Sequence, residues 1–129
     1  MSVQDLFSLK GKVAIVTGGA VGLGKQMAEG LAEAGANLVL ASRKKERCIE
    51  AAEGIKERLQ VDTLAMQLDI NDPDSIKHMV DETLENFGKI DILINNAGIA
   101  WGAPAEEVSL ENWKKVIDIN VNGTFLCTQ

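Results

Sequence analysis

The chain of 129 residues has no tyrosine, one histidine, two cysteines, two prolines and only 4% aromatic residues. Each shortage excludes something. Without tyrosine no phenol can serve as an acid or base. Cys48 and Cys127 stand alone, outside any metal or redox spacing, so they read as free thiols, buried or half-buried. His78, among Lys77, Asp81 and Glu82, reads as a surface residue rather than a ligand. No apolar run approaches the roughly 20 residues of a membrane span. The opening Met1-Ser2-Val3-Gln4-Asp5 lacks the basic start and apolar core of a signal peptide, which makes the cytoplasm the expected location. Basic charge is also short, with 13 Lys and Arg against 19 Asp and Glu and a net charge of −6. No basic stripe is present, which argues against nucleic acid as a bulk partner. What remains, 46% hydrophobic and 25% charged residues, describes an ordinary globular chain. Its length suits one domain able to bury roughly two-thirds of its unfolded surface.

From Lys12 onward short apolar runs alternate with helical patterns, without repeat, low-complexity tract or linker. Strands are expected at Val13–Thr17, Asn37–Ala41, Thr63–Leu68 and Asp91–Ile94. Helices are expected at about Gly22–Ala34, stopped by Gly35, and at about Lys44–Leu59, with a stripe of Cys48, Ala52, Ile55 and Leu59. A third helix is capped by Asp72, begins with Pro73, carries Ile76, Met79, Val80, Leu84 and Phe87 in phase, and ends at Gly88. A last one, capped by Ser109, continues its stripe through Trp113, Val116, Ile117, Val121 and Phe125 to Gln129. Strands this short and apolar are covered on both faces, so the expected fold is α/β, a doubly wound, right-handed parallel sheet. The last pattern is still running at Gln129, and the fourth strand would lie on an exposed apolar edge. The chain is therefore expected to be a single domain, 1–129, incomplete in its last helix.

The segment with most chemical content is Thr17-Gly18-Gly19-Ala20-Val21-Gly22-Leu23-Gly24, set between the first strand and the first helix. Gly18 lets the chain leave the strand sharply, Gly22 lets backbone approach a pyrophosphate, and Gly24 lets the helix pack closely on the sheet. Unpaired N–H groups and about half a positive charge at the helix start favour an anion there. Gly19 to Gln26 also approaches a nucleotide-triphosphatase loop, Gly-x-x-x-x-Gly-Lys-Gln. Gln26 stands where that loop needs a small hydroxyl for Mg²⁺, and the later strand-like runs offer no clear apolar-strand-then-Asp site for the metal, since Leu93-Ile94 run into Asn95 and Asn96.

Two further motifs follow in order: Asn95-Asn96-Ala97-Gly98 directly after the fourth strand, and Asn120 with Gly123 within Ile119-Asn120-Val121-Asn122-Gly123. With the glycine turn, they make the chain resemble the short-chain dehydrogenase/reductase family over essentially its whole length, a family with a Rossmann-type sheet. The resemblance implies that Gly18, Gly19, Ala20, Gly22, Leu23 and Gly24 hold the coenzyme's pyrophosphate and adjoining ribose. It implies that Asp69 and Ile70, ending the third strand, take the adenine, Asp69 being otherwise a plain surface residue. Asn95, with Ala97 and Gly98, would tie the strand end to the nicotinamide-side ribose; a purely local turn role for Asn95-Asn96 is the alternative. At the end of the second strand an acidic residue would accept from a ribose 2′-hydroxyl and favour NAD. Ala41-Ser42-Arg43 stands there, so Ser42 and Arg43 are candidates for a 2′-phosphate and the expected coenzyme is NADP, with NAD as alternative. Arg43 could equally just begin a charged, solvated helix. The residue ahead of the middle glycine, often basic in NADP-preferring relatives, is Val21.

Family chemistry uses a Tyr as acid/base, a Lys four residues later, a Ser that positions substrate and an Asn that holds a relay water. Asn120 is the catalytic candidate; the Tyr-x-x-x-Lys pair does not exist in this sequence. Two readings follow. One is the coenzyme-binding part of an oxidoreductase acting on a small carbonyl or alcohol, the parent a homo-oligomer packed through the last helix. The other is a non-catalytic nucleotide-binding or dimerisation module. Among relatives, Leu6–Lys12 and Ala41-Ser42-Arg43 look most like the gluconate 5-dehydrogenase type, with the 3-oxoacyl carrier-protein reductases second. Trp101, Pro104 and the loop from Ile99 to Glu107 could form part of a substrate mouth, or simply pack.

Overall fold

Four short apolar runs pair in parallel, as their want of polar alternation requires. A computed structural model describes all of residues 1–129. In chain order the elements are α1 (Val3–Leu6), β1 (Val13–Thr17), α2 (Gly22–Glu33), β2 (Asn37–Ser42), α3 (Lys45–Leu59), β3 (Thr63–Gln67), α4 (Pro73–Phe87), β4 (Ile92–Ile94), α5 (Leu110–Ile117) and α6 (Gly123–Thr128). A 3-10 turn, Ala105–Glu107, precedes α5, and a π-helical stretch, Asp118–Asn122, joins α5 to α6. The sheet order is β3-β2-β1-β4. Val13 lies opposite Asn37 and Ala14 opposite Ile92, so β1 is flanked on both sides. The doubly wound parallel fold expected from the sequence is the one found.

Strand side chains alternate between two cores. Ala14, Val16, Leu38 and Leu40 face α2 and α3 and meet Ala28, Ala32, Cys48, Ala52 and Ile55. Ile15, Val39, Ala41 and Met66 face the other way, onto Ile76 and Met79 of α4 and onto Ile119 and Cys127. The small residues of α2 and α3 let those helices lie close to the sheet. Both thiols are buried, and desolvation raises the pKa of each, opposed at Cys48 by hydrogen bonding with Ser42.

Helix starts and stops follow the expected chemistry. Asp72 caps α4 by accepting from Asp74 N at 2.9 Å, Pro73 takes the first turn, and Gly88 closes it with φ +77°. Some details differ from expectation. Leu84, placed in the apolar stripe of α4, is 43% exposed, and Thr83 takes the buried position. Its hydroxyl is satisfied by donating to Met79 O at 2.7 Å, which lets a polar residue do an apolar residue's packing. Strand β3 ends at Gln67 rather than Leu68, so Asp69 lies two residues beyond it. Strand β4 excludes Asp91, whose carboxylate accepts from Val13 N at 2.9 Å and pairs with Lys89 at 3.0 Å. The expected single last helix is divided by the π stretch, and α1 was not anticipated. Its signal is a capping box: Asp5 N donates to Ser2 Oγ at 3.1 Å and Ser2 N to Asp5 Oδ2 at 2.9 Å.

Candidate functional site

Winding reverses at β1. The chain leaves β1 toward β2 and β3 on one side and returns as β4 on the other, so loops diverge and a crevice opens at the strands' C-terminal ends. A cleft of about 760 Å³ occupies that place. Its walls are the glycine turn with the start of α2, the β2–α3 junction, the loops after β3 and β4, and Ile119 of the π stretch.

The first wall is shaped by absent side chains. Gly18 adopts φ +65° and Gly22 φ +56°, the left-handed region where only glycine sits freely. A Cβ at Gly24 would strike Gly18 O and Asn96 Nδ2. A Cβ at Gly18 would come within 2.9 Å of Asn96 Nδ2. The first α-helical bond of α2 runs from Lys25 N to Val21 O at 3.2 Å. Val21 gives no side-chain cap, and no acidic residue occupies the first turn. The N–H groups ahead of Lys25 and the positive end of the helix dipole are therefore uncompensated, the arrangement that receives an anion.

Thr17 joins that turn to the loop after β4. It is fully buried, and its Oγ1 accepts from Asn96 N at 3.1 Å and Ala97 N at 3.0 Å while donating to Ile94 O at 3.3 Å. Asn96 returns two bonds through Nδ2, to Thr17 O at 3.0 Å and Gly18 O at 3.1 Å. From the sequence Thr17 has no assigned role, and Asn96 only the alternative of a local turn. The available signal was the second asparagine of Asn95-Asn96, whose amide can bridge two carbonyls.

At the β2 end, Ser42, Arg43, Lys44 and Arg47 line the cleft, and no carboxylate from that segment joins them on its wall. Ser42 is partly committed elsewhere. Its Oγ accepts from Lys44 N at 3.3 Å and lies 3.1 Å from Cys48 Sγ and 3.4 Å from Lys44 O. Beyond β3, Asp69 uses Oδ1 to accept from Asn71 N at 3.0 Å, and its N–H donates to Ser75 Oγ at 2.9 Å, leaving Oδ2 uncommitted at the cleft. Ile70 is buried against α6 because Gly123 has no Cβ; one there would lie 2.7 Å from Ile70 Cγ1.

Of the residues singled out in sequence, Gly18, Ala20, Leu23, Gly24, Ser42, Arg43, Asp69, Ile70, Ala97 and Gly98 meet around this one cleft. Gly19, Gly22, Asn95 and Asn120 are not on its wall. Gly19 is instead a packing glycine, since a Cβ would approach Leu40 Cδ2 at 2.9 Å and Val16 O at 3.0 Å. Asn95 Nδ2 donates to Thr128 Oγ1 at 3.1 Å. Asn120 spends both ends of its amide on one residue, accepting from Ile99 N at 2.9 Å and donating to Ile99 O at 2.8 Å, and its own carbonyl accepts from Thr124 Oγ1 at 3.0 Å. It thus holds the loop after β4 in place. Trp101 is exposed outside the cleft. No group of His, Cys, Asp and Glu is arranged to hold a metal ion, and no helix is long and apolar enough to cross a membrane.

With this geometry in view, comparison with known proteins is direct. The family model described as short chain dehydrogenase matches residues 12–129. Gluconate 5-dehydrogenase of Gluconobacter oxydans is 42% identical over 130 residues, covering 100% of this chain and 50% of that protein. The crystal structure of a short-chain type dehydrogenase/reductase from Mycobacterium marinum superposes with a TM-score of 0.94 at 37% identity, over 99% of this chain and 50% of that one. L-sorbose reductase from Gluconobacter frateurii, solved in complex with NADPH and L-sorbose, gives a TM-score of 0.89 at 33% identity, over 95% of this chain and 46% of its own. The chain thus spans about half the length of the relatives it matches.

Proposed function

The chain belongs to the short-chain dehydrogenase family, and on that premise we propose that it is the NADP(H)-holding part of an oxidoreductase interconverting a carbonyl and a hydroxyl. A bound nicotinamide coenzyme supplies the hydride; the residues described here bind and orient it. The uncapped start of α2 takes the pyrophosphate, Asp69 and Ile70 the adenine, and the Asn95–Gly98 loop the nicotinamide side. The observation that carries the preference for NADP is the β2 end, where Arg43 and its basic neighbours line the cleft and none of the lining residues from that end is a carboxylate. A relative solved with NADPH supports it. Asn120 serves the proton relay through the loop it holds or through its main chain, because its side chain is fully engaged. The phenol that would act as acid/base is not among these 129 residues. The exposed Leu110, Trp113, Val121 and Phe125 give the last helices an outer apolar face suited to packing subunits together.

Calorimetric titration of the folded chain with NADP⁺ and NAD⁺ tests the reading. NADP⁺ is expected to bind at least about tenfold tighter, or ~1.4 kcal/mol; tighter binding of NAD⁺ overturns the preference, and binding of neither overturns the coenzyme role. The absence of tyrosine favours one second reading, a nucleotide-binding or dimerisation module without chemistry of its own. A native protein ending at Gln129 that binds coenzyme but reduces no ketose or keto acid would establish it.

A further inference from the structure

We infer that Arg47 selects for the coenzyme's 2′-phosphate together with Arg43, and that Ser42, the polar residue the strand end first suggests, holds the local backbone instead. This rests on the coenzyme reading above. Arg47 lies four residues beyond Arg43, in the first turn of α3, and both line the main cleft. With Ala20 and Val21, Arg47 also lines a second cleft of about 500 Å³ between α2 and α3. It therefore stands at the corner where the glycine turn meets the start of α3, beside the end of β2 where the adenosine ribose of a dinucleotide is read.

Charge makes the position informative. Arg43, Lys44, Lys45 and Arg47 fall within five residues at the N-terminal end of α3, with Glu46 the one acid among them. That end of the helix carries a positive partial charge, so cations there oppose the dipole. None of the four takes part in any of the chain's ion pairs, which are Arg58–Glu29, Lys77–Asp81, Lys89–Asp91 and Lys115–Glu111. A chain with net charge −6 thus gathers unpaired positive charge at a point where its own backbone disfavours it. A dianion resolves the conflict. Of the four, only Arg43 and Arg47 carry a planar fork that can bond a phosphate bidentately, and Arg47 alone also lines the second cleft beside the glycine turn. Ser42 cannot substitute, because its hydroxyl accepts from Lys44 N and lies within donating range of Cys48 Sγ and Lys44 O.

Adenosine 2′,5′-bisphosphate and 5′-AMP differ only in the group at issue and serve as probes. The full chain and its Arg47→Ala and Ser42→Ala variants are titrated with each by calorimetry, folding being checked by circular dichroism. Arg47→Ala is expected to weaken the bisphosphate about tenfold while changing 5′-AMP less than about twofold, the loss of one charge-assisted pair. Ser42→Ala is expected to keep the bisphosphate preference within about twofold. Equal weakening of both probes by Arg47→Ala, or no weakening, overturns the inference, as does loss of the preference in Ser42→Ala. If the unsubstituted chain binds neither probe, the coenzyme reading itself fails; if it binds both and only the Arg47 result is negative, that reading stands and this inference alone falls.

Discussion

Replacing Thr17 by valine keeps shape and volume and removes only the hydroxyl, which makes it a clean test of what holds the cleft together. That hydroxyl is saturated: both lone pairs accept, from Asn96 N and Ala97 N, and its hydrogen points at Ile94 O. In Thr17→Val the Ala97 N–H loses its acceptor, at roughly 1–3 kcal/mol where buried, while the Asn96 N–H keeps its second bond, to Ile94 O at 3.0 Å. Asn96 and Ala97 are half-buried, so water reaches part of the gap and the low end applies, about 1.5–2 kcal/mol for the lost bond and the halved one together. The 3.3 Å bond to Ile94 O is long for a hydroxyl donor and adds little. The extra methyl in a fully buried site returns up to ~0.8 kcal/mol. The net loss is about 1 kcal/mol, or roughly 0.5 M off the urea midpoint for a domain of this size. Thr17→Ser keeps every hydrogen bond and loses one methyl, so its loss is expected to be about half as large. Urea unfolding followed by circular dichroism measures both, and hydrogen exchange at the Asn96 and Ala97 amides should quicken in the valine variant only. A valine variant as stable as the parent, or more stable than the serine variant, would refute the account of Thr17 as the clamp.

Gly24→Ala puts a Cβ onto Gly18 O and Asn96 Nδ2; because one obstacle is backbone, a loss of about 1–3 kcal/mol or more is expected, with weakened coenzyme binding, both measurable by urea unfolding and calorimetry. Asp91 is pulled below the usual carboxylate range, first by the Val13 N–H and then by the Lys89 ammonium. A depressed folded pKa means its contribution is complete above the unfolded value, about pH 4, and disappears as pH falls through the folded value. Urea midpoints of the parent and Asp91→Asn, taken from pH 6 to pH 2, should differ at the upper end and converge at the lower; a gap that persists at the acid end would contradict this.

Legibility in the sequence divides by the range of the interaction. Strands, helix starts and the glycine turn could be read because their determinants are local: Asp72 and Pro73 open α4, Gly88 closes it, and uninterrupted apolar runs mark parallel strands. The same local logic would have found α1 from Ser2 and Asp5. Arg47 was also within reach, being four residues from Arg43 in the same basic run. Thr83 was missed in favour of Leu84 because residue type suggested burial, while the phase set by Ile76 and Met79, together with a hydroxyl that could satisfy itself, decided it.

What could not be read depends on pairs 21 to 80 residues apart in sequence. Thr17 looked like the opening of a glycine motif; only the β1–β4 pairing brings it under Asn96 and Ala97 and makes it the strut between two walls. The apolar stripe from Trp113 to Phe125 likewise read as one uninterrupted helix. Its division at Asp118–Asn122 is a tertiary matter, since Asn120 there gives its whole amide to Ile99, across the chain from its own helix. The π stretch sits where Ile119 is buried and joins the cleft wall, and where Gly123 makes room for Ile70. A helix that must bury Ile119, offer Asn120 to one loop and clear space for another residue within five positions has more directions to serve than a 3.6-residue period provides, and one widened turn supplies the extra one.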